Sequence, residues 1–469
     1  EAPDYIPNKH DKSLLASLKI LRYGWKMLHT KRINTLELDR EIVTDWQRRL
    51  PQILTSTDEE LVEAMREIME PAMSLFTHHL DITGQAGGAV QLLSTICEER
   101  LGDRSLALTL LGGIGDVDSA APSFALWELG RMVAHNDNLT EIFDSESTDL
   151  QSRLRHSSNA KEFLEAFDTF LTTFGSRGAN EWETACETWG TNPELVLVLI
   201  DRMRLANAQN SPSSRAKELA QNRVTALERT RQELRGIGSW LFEKALHSSV
   251  LFSQARERSK TTIIDLIHVA RLITRELAQR TANQRANGEL IDLWFILETE
   301  LDDFIKNPAA FDQIITERKR VRNELSNRVP PFIFEGHIPD PNSWPLRSDI
   351  KSKQNQDLQV GQQLKGFGGC PGIAEGTAKV ITDPSDPRDL SSGDILIAPL
   401  TDPSWTPLFV PAEAVVVNVG GQMSHAVIVS RELGMPCVVA VKDATEIIKD
   451  GTRLRVNGST GEVTILEVP

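Results

Sequence analysis

Two patterns of apolar residues divide the chain. Up to about residue 335, apolar positions recur at intervals of three and four. In TTIIDLIHVARLITREL, Ile263, Ile267, Ala270, Ile273 and Leu277 share one stripe, leaving Asp265, His268, Arg271 and Arg275 toward another face, as in an amphipathic helix. From Ala216, AKELAQNRVTALERTRQELRGIGSWLFEKAL spaces Leu219, Val224, Leu227 and Leu234 at turn intervals. No period recurs cleanly enough for a solenoid, so the pattern predicts a helical bundle or array. Beyond residue 363 the chain turns to short β-rich runs between Gly and Pro: GTAKVITD, DILIAP, AEAVVVNV, PCVVAV, TRLRVN and GEVTIL. One helix interrupts them, SHAVIVSREL, with Gly420-Gly421 before it and Gly434 just past its end. Between the two regions, HIPDPNSWPLRSDIKSKQNQDLQVGQQ is polar and proline-punctuated, and reads as a flexible linker. The expected organisation is a large, mostly α-helical domain over 1–336, a linker over 337–363 and a compact α/β domain over 364–469.

Composition sharpens this division. The last 109 residues hold 13 of the 29 glycines and one of the nine tryptophans, Trp405. At roughly 150 residues per domain the length suggests about three domains, but the change of pattern needs only two. With 51 Lys and Arg against 66 Asp and Glu, the net charge is −15, which excludes a general binder of nucleic acid or anionic membrane and leaves room for a local cationic pocket. Cys97, Cys186, Cys370 and Cys437 form no CxxC pair, so a reducing, cytoplasmic setting is expected, without a disulfide framework or zinc knuckle. No apolar run approaches the roughly 18 residues needed to span a bilayer, and EAPDYIPNKHDK has no hydrophobic signal core. The chain begins with Glu, and a processed or truncated piece of something longer is expected.

The stretch with chemical content is AVVVNVGGQMSHAVIVSRELGMPCVVAV, 414–441: strand, glycine turn, histidine at a helix start, second strand. His425 there has two readings, a capping or packed histidine and a phosphoryl carrier. For the second, Gly420 and Gly421 permit close backbone approach to a phosphate. Ser424 is placed to cap the helix and to hydrogen-bond a phosphoryl oxygen. The helix N-terminus offers free N–H groups and positive dipole to an anion, and a neutral imidazole is nucleophilic near pH 7.

GGQMSHAVIVSRELGMPCVV closely resembles the phosphohistidine signature of the phosphoenolpyruvate-utilising enzymes. The resemblance runs through 364–466, taking in LKGFGGCPGIAEGTAKVITDPSD, DILIAPLTDPSWTPLF and ATEIIKDGTRLRVNGSTGEVTIL. It implies a β/β/α swivelling domain in which His425 is phosphorylated. Asn418 stands where a Glu is common in the family, and Ser430 where an Ala is common. TDPSWTPLF, 401–409, has the form typical of the branch with antibiotic and aromatic substrates. Its Asp402 and Trp405 are expected either to dock the moving domain or only to pack against the His425 helix.

A phosphohistidine needs a donor and an acceptor. In the family the donor site is an ATP-grasp domain or a phosphoenolpyruvate-binding barrel. The chain shows no GxxxxGK[ST] motif, no second Gly-rich strand-loop unit and no strand-helix alternation for a barrel. The helical region is then the candidate acceptor domain. It resembles the substrate-binding domain of rifampin phosphotransferases in FGSRGANEWETACETWG (174–190), ARERSKTTIIDLIHVARLITREL (255–277) and NGELIDLWFILETEL (287–301). ATP and Mg²⁺ are accordingly expected at an ATP-grasp donor domain or subunit absent from this chain.

Arg256 and Lys260, four apart on one helical face, match the family's catalytic cations; the competing reading is a solvated face pairing with Glu257. A fork and a point charge suit the equatorial oxygens of a transferring phosphoryl group. Arg177 and Glu181 either line the same cleft or form an ordinary surface pair. His268 is a candidate base for the acceptor hydroxyl, or a boundary histidine. His78 and His79 point to different sides of a helix, against joint metal binding. Trp182, Trp189, Trp240 and Trp294 are candidates for an aromatic acceptor pocket or for plain core. The leading expectation is a phosphotransferase, or its acceptor-side part, that carries phosphoryl through His425 to a hydroxylated organic molecule. The alternatives are a condensing or dehydrating enzyme resembling prodigiosin-synthesis ligases, and a non-catalytic ligand-binding protein.

Overall fold

The computed structural model describes residues 14–103, 105–145, 149–208, 211–331, 334–349, 358–384, 386 and 389–469. The N-terminal stretch read above for a signal segment lies outside the described residues. A large helical region is followed by one mixed β-sheet, as the change of pattern predicts.

The helical region is built around a 48-residue helix, Gly236–Asn283. It packs along the 33-residue helix Met69–Leu101 and against Thr35–Ile53, Asp58–Glu67 and the 3₁₀ segment Leu290–Phe295. Its stripe of Ile263, Ile273 and Leu277 is buried with Val43, Leu61, Leu75 and Phe304 in one apolar cluster. The opposite, polar face departs from the amphipathic expectation: Arg271 is 0% exposed and donates to the backbone oxygens of Glu181 (2.7 Å) and Glu183 (3.0 Å). From Ser248 to Ala278 no residue of this helix is classed as exposed, so its polar residues there serve neighbouring backbone instead of water. The predicted helix from Ala216 is two helices: Pro212–Glu233 stops, and Gly236, at φ +58°, opens the long one.

A second helical cluster joins Ala121–Ala134, Lys161–Phe174 and Glu194–Leu205 around Leu126, Phe163, Phe167 and Ile200. Between the last two helices, residues 175–193 are irregular, the segment expected to reach the cleft. Close backbone approaches demand its glycines: a Cβ on Gly178 would sit 2.6 Å from the Glu187 oxygen, and one on Gly175 2.3 Å from the Leu171 oxygen.

In the stretch leading into and through the expected linker, the described residues 327–331 and 334–349 include two backbone contacts, Arg347 N donating to Asn327 O (2.9 Å) and Val329 N to Pro345 O (2.9 Å). Residues 350–357 lie outside the described part.

The sheet comprises β1 Gln363–Lys365, β2 Phe367–Cys370, β3 Ile373–Val380, β4 Asp394–Ala398, β5 Ala414–Val417, β6 Cys437–Val439, β7 Arg453–Asn457 and β8 Glu462–Glu467. Their order is β1-β8-β7-β3-β4-β5-β6-β2, parallel from β3 through β6 and antiparallel elsewhere. Period-two alternation assigns the two faces of the parallel strands. Leu396, Ala398, Val415 and Val417 pack with the His425 helix, whereas Ile395, Ile397, Ala414 and Val416 pack with Leu454, Val456, Val463 and Ile465. The first of these clusters continues through Trp405, Leu408 and Phe409 into the helical core around Leu126 and Ile200. The sheet domain is therefore seated on the helical region. No helix among the described residues is long and apolar enough to cross a membrane.

Candidate functional site

His425 opens the helix His425–Leu433, which Gly434 ends in the left-handed conformation, φ +70°. Both ring nitrogens meet hydroxyls: Nδ1 lies 3.1 Å from Thr401 Oγ1, and Nε2 3.1 Å from Thr406 Oγ1. Phe409 stands edge-on to the ring at 6.2 Å. Both threonines come from TDPSWTPLF, whose Thr406–Phe409 turn packs on the Ala121–Ala134 and Glu194–Leu205 helices. That segment thus touches the histidine and docks the domain together. The threonines carry no signature of their own in the sequence and were not singled out there.

Ser424 occupies the N-cap position but makes no capping hydrogen bond; its buried Oγ has no protein partner. That corrects the capping expectation and leaves a hydroxyl free at the helix mouth. A Cβ on Gly420 would lie 2.9 Å from Val439 Cβ and 3.0 Å from Ser424 Oγ, while one on Gly421 meets nothing within 4 Å. The close approach applies to the first glycine only. Asn418 ties its turn to the short helix Ala444–Ile447, accepting from Thr445 N (3.0 Å) and donating to Thr445 Oγ1 (2.7 Å).

The helical region presents its charges to this histidine. Arg177 Nη1 donates to both Glu181 oxygens (3.2 and 3.3 Å), and its Nη2 to Thr261 Oγ1 (2.5 Å). Lys260 Nζ lies 3.2 Å from Glu181 Oε1. Arg256 pairs with Glu257, as the competing reading held, but the face is not solvated: the side chains are 17% and 2% exposed, and Lys260 13%. Arg256 Nε is buried without a partner. Arg177 and Glu181, 3% and 0% exposed, are likewise no surface pair. Across the domain boundary Asn180 N donates to Asp402 Oδ2 (3.2 Å), and Gln422 Nε2 to Ser94 Oγ (2.9 Å).

Burial, then the positive charges of Lys260, Arg177 and Arg256, holds the His425 imidazole well below its ordinary value. The ring is therefore neutral near pH 7, beside three cations able to receive a dianion. Among the described residues no group of three or more His, Cys, Asp and Glu is arranged to hold a metal ion.

The other predicted residues separate. Trp182, 40% exposed, borders the charged cluster and stands edge-on to Phe76 at 6.1 Å. Trp189 is core against Phe170, Trp294 donates to Thr184 Oγ1 (2.9 Å), and Trp240 lies near His29. The four tryptophans therefore do not form one pocket; helix spacing alone does not show which turn each meets. His268 is two turns, about 12 Å, beyond Lys260 along the helix and turns toward Thr188 Oγ1 (3.4 Å) and Arg271 (3.3 Å). Burial and the Arg271 and Arg275 charges depress it to about 4. His78 meets Asp39 (2.9 Å), whereas His79 faces Ser259 Oγ (2.8 Å) on the long helix, between Arg256 and Lys260 in sequence. Burial and the Arg256 charge put His79 at about 4 as well.

A glycine turn before a helix-opening histidine, on a mixed sheet seated on helices, defines a class of protein. Residues 390–461 match the mobile domain of PEP-utilising enzymes, and residues 78–257 match the fourth domain of rifampicin phosphotransferase. The helical part and the sheet part of the chain are thus each similar to a domain of these enzymes, in the same order along the sequence. It is 28% identical over 431 residues to a rifampicin phosphotransferase of Streptomyces sviceus, covering 88% of this chain and 48% of the relative. A rifampicin phosphotransferase of Bacillus cereus is 25% identical over 378 residues (79% and 42%). An uncharacterised protein of Mycobacterium tuberculosis is 30% identical over 310 residues (66% and 32%). The chain spans about half the length, or less, of these relatives. Among solved structures, aconitase X of Thermococcus kodakaraensis in its holo form aligns at 24% identity over 23% of this chain and all of its own, with a TM-score of 0.20.

Proposed function

We propose that the chain is the acceptor side of a phosphotransferase in which His425 carries the phosphoryl group. The observation that carries this reading is the seating of His425 opposite Lys260, Arg177 and Arg256. In the transfer step the N–P bond of phospho-His425 breaks and an O–P bond forms to an acceptor hydroxyl. The hydroxyl proton goes to the imidazole nitrogen released, so the histidine ends neutral and no oxidant or further base is consumed. The depressed pKa favours that neutral product. Arg256 and Lys260 stabilise the equatorial oxygens; the unpartnered hydroxyl of Ser424 and the free N–H groups of the helix mouth hold them on the other side. Arg177, bonded to Glu181, keeps that carboxylate from neutralising the site alone. ATP and Mg²⁺ act at a donor module outside these 469 residues. The acceptor is a hydroxylated organic molecule met beside Trp182, as the names of the relatives suggest.

Phosphoramidate, a small-molecule phosphoryl donor, tests the carrier without the donor module. The expected adduct is acid-labile, base-stable and lost in His425→Ala; equal labelling of that variant overturns the proposal. Supplying a hydroxylated aromatic acceptor then yields a phosphoester, whereas a coupled or dehydrated product with free phosphate would indicate a condensing enzyme.

A further inference from the structure

We propose that Glu432 and the backbone N–H groups of residues 113–115 form the latch that seats the His425 domain. The Glu432 carboxylate accepts from Ile114 N (3.2 Å, Oε1) and Gly115 N (3.1 Å, Oε2), and Gly113 N donates to Arg431 O (3.0 Å). Three successive amides of the helical region therefore converge on the last turn of the His425 helix. The loop is shaped for this: Gly113, Gly115 and Asp116 have φ of +56°, +68° and +54°, the alternation that turns neighbouring N–H groups into an anion-binding concavity. A Cβ on Gly113 would sit 2.9 Å from both Ala220 N and Leu219 Cβ, and Leu219 also lies against Gly434. Loop, supporting helix and mobile helix meet at one side chain.

A second observation points the same way. A carboxylate in the last turn of a helix opposes the helix dipole, so Glu432 is badly placed for the sheet domain alone. Only 6% of it is exposed, and its hydrogen-bond partners come from the helical region. Arg223 of that region and Arg431 of its own helix supply positive charge. Asp116, Asp118, Lys217 and Glu432 border one cavity of about 430 Å³, into which the carboxylate can withdraw. Burial lifts its carboxyl to about 7 despite these partners.

Glu432 is seven residues from His425, two turns and about 10 Å along one face. One end of the helix carries the imidazole and the other is pinned, which sets the approach of the ring to Lys260. Glu432 is thus a positioning residue for the proposed transfer, and it rests on that reading only for its consequence.

The test uses the whole chain and needs no donor. In Glu432→Ala the His425 titration midpoint, followed by NMR, should rise toward the ordinary imidazole range near 6.5, and the Ile114 and Gly115 amides should exchange at least about tenfold faster, a loss equivalent to one hydrogen bond. Glu432→Gln, which keeps one acceptor, should fall between. Unchanged midpoint and unchanged protection in a variant that melts like the parent overturn the latch. If Glu432→Ala does not fold, Gly115→Ala strains the loop from the other side, with nothing within 4 Å of the added carbon, and the same shift is required. Phosphoramidate labelling of His425 is expected in all variants, so failure of the latch and failure of the carrier reading are distinguishable.

Discussion

Replacing Arg177 with Met removes the centre of the charged cluster. Its guanidinium holds both oxygens of Glu181 and the hydroxyl of Thr261, and faces Asp265 and Glu257 as well. With Arg177 and Glu181 3% and 0% exposed, no water can take over. Breaking one partner from a buried pair costs roughly 3–5 kcal/mol because the other charge stays buried and uncompensated. Two groups limit the loss here: Lys260 remains 3.2 Å from Glu181, and Ser176 and Arg40 still hold Asp265 at 2.8 and 3.1 Å. The expected cost is therefore at the low end, about 3 kcal/mol. With a urea slope of roughly 3 kcal/mol/M, the unfolding midpoint should fall by about 1 M, read by tryptophan fluorescence. Adding Glu181→Gln should restore only part of the loss, since the fully buried carboxylate is gone but Lys260 then loses its partner. A midpoint shift below about 0.3 M for the single variant, or strict additivity in the double, would refute the reasoning.

Three further outcomes are expected. Lys260→Met removes the first of the charges that depress His425, so the imidazole should titrate higher by NMR; an unmoved midpoint would mean the two domains are not seated in solution as described. Gly420→Ala drives a Cβ to 2.9 Å from Val439 Cβ and should cost about 1–3 kcal/mol, whereas Gly421→Ala should stay within about 0.5 kcal/mol; equal melting shifts would contradict this. His79 and His268 are held at about 4 against 6.5 when unfolded. Their depressed values mean stability is complete above pH 6.5 and lost as pH falls from 6.5 toward 4, by up to about 3 kcal/mol each; replacing both with Gln should flatten that limb of the stability curve.

Several residues were legible because their information is local. The continuous apolar run in AVVVNV identifies a buried strand, the glycines and histidine of GGQMSH mark a turn into a helix, and Gly434 marks its end. Arg256 and Lys260 share a face because four residues make about one turn. Thr401, Thr406 and Glu432 were not legible, since a threonine in a loop and a glutamate on a helix become informative only when a partner faces them. The polar face of the long helix shows the same limit: a period of 3.6 places Asp265 and Arg271 away from the apolar stripe, and only the 175–193 segment laid over them shows what they hold.

The sequence by itself determined the two architectures and the histidine at a helix mouth, because periodicity, glycine placement and helix capping act over a few residues. Tertiary structure alone decided that His425 faces Lys260, Arg177 and Arg256, that Glu181 is shared between two cations, and that the far end of the histidine's helix is caught by a loop over 300 residues earlier. Those contacts depend on burial and on which distant segments cover one another, and desolvation, which changes a charge's energy most, is a property of the packed molecule and of no single segment.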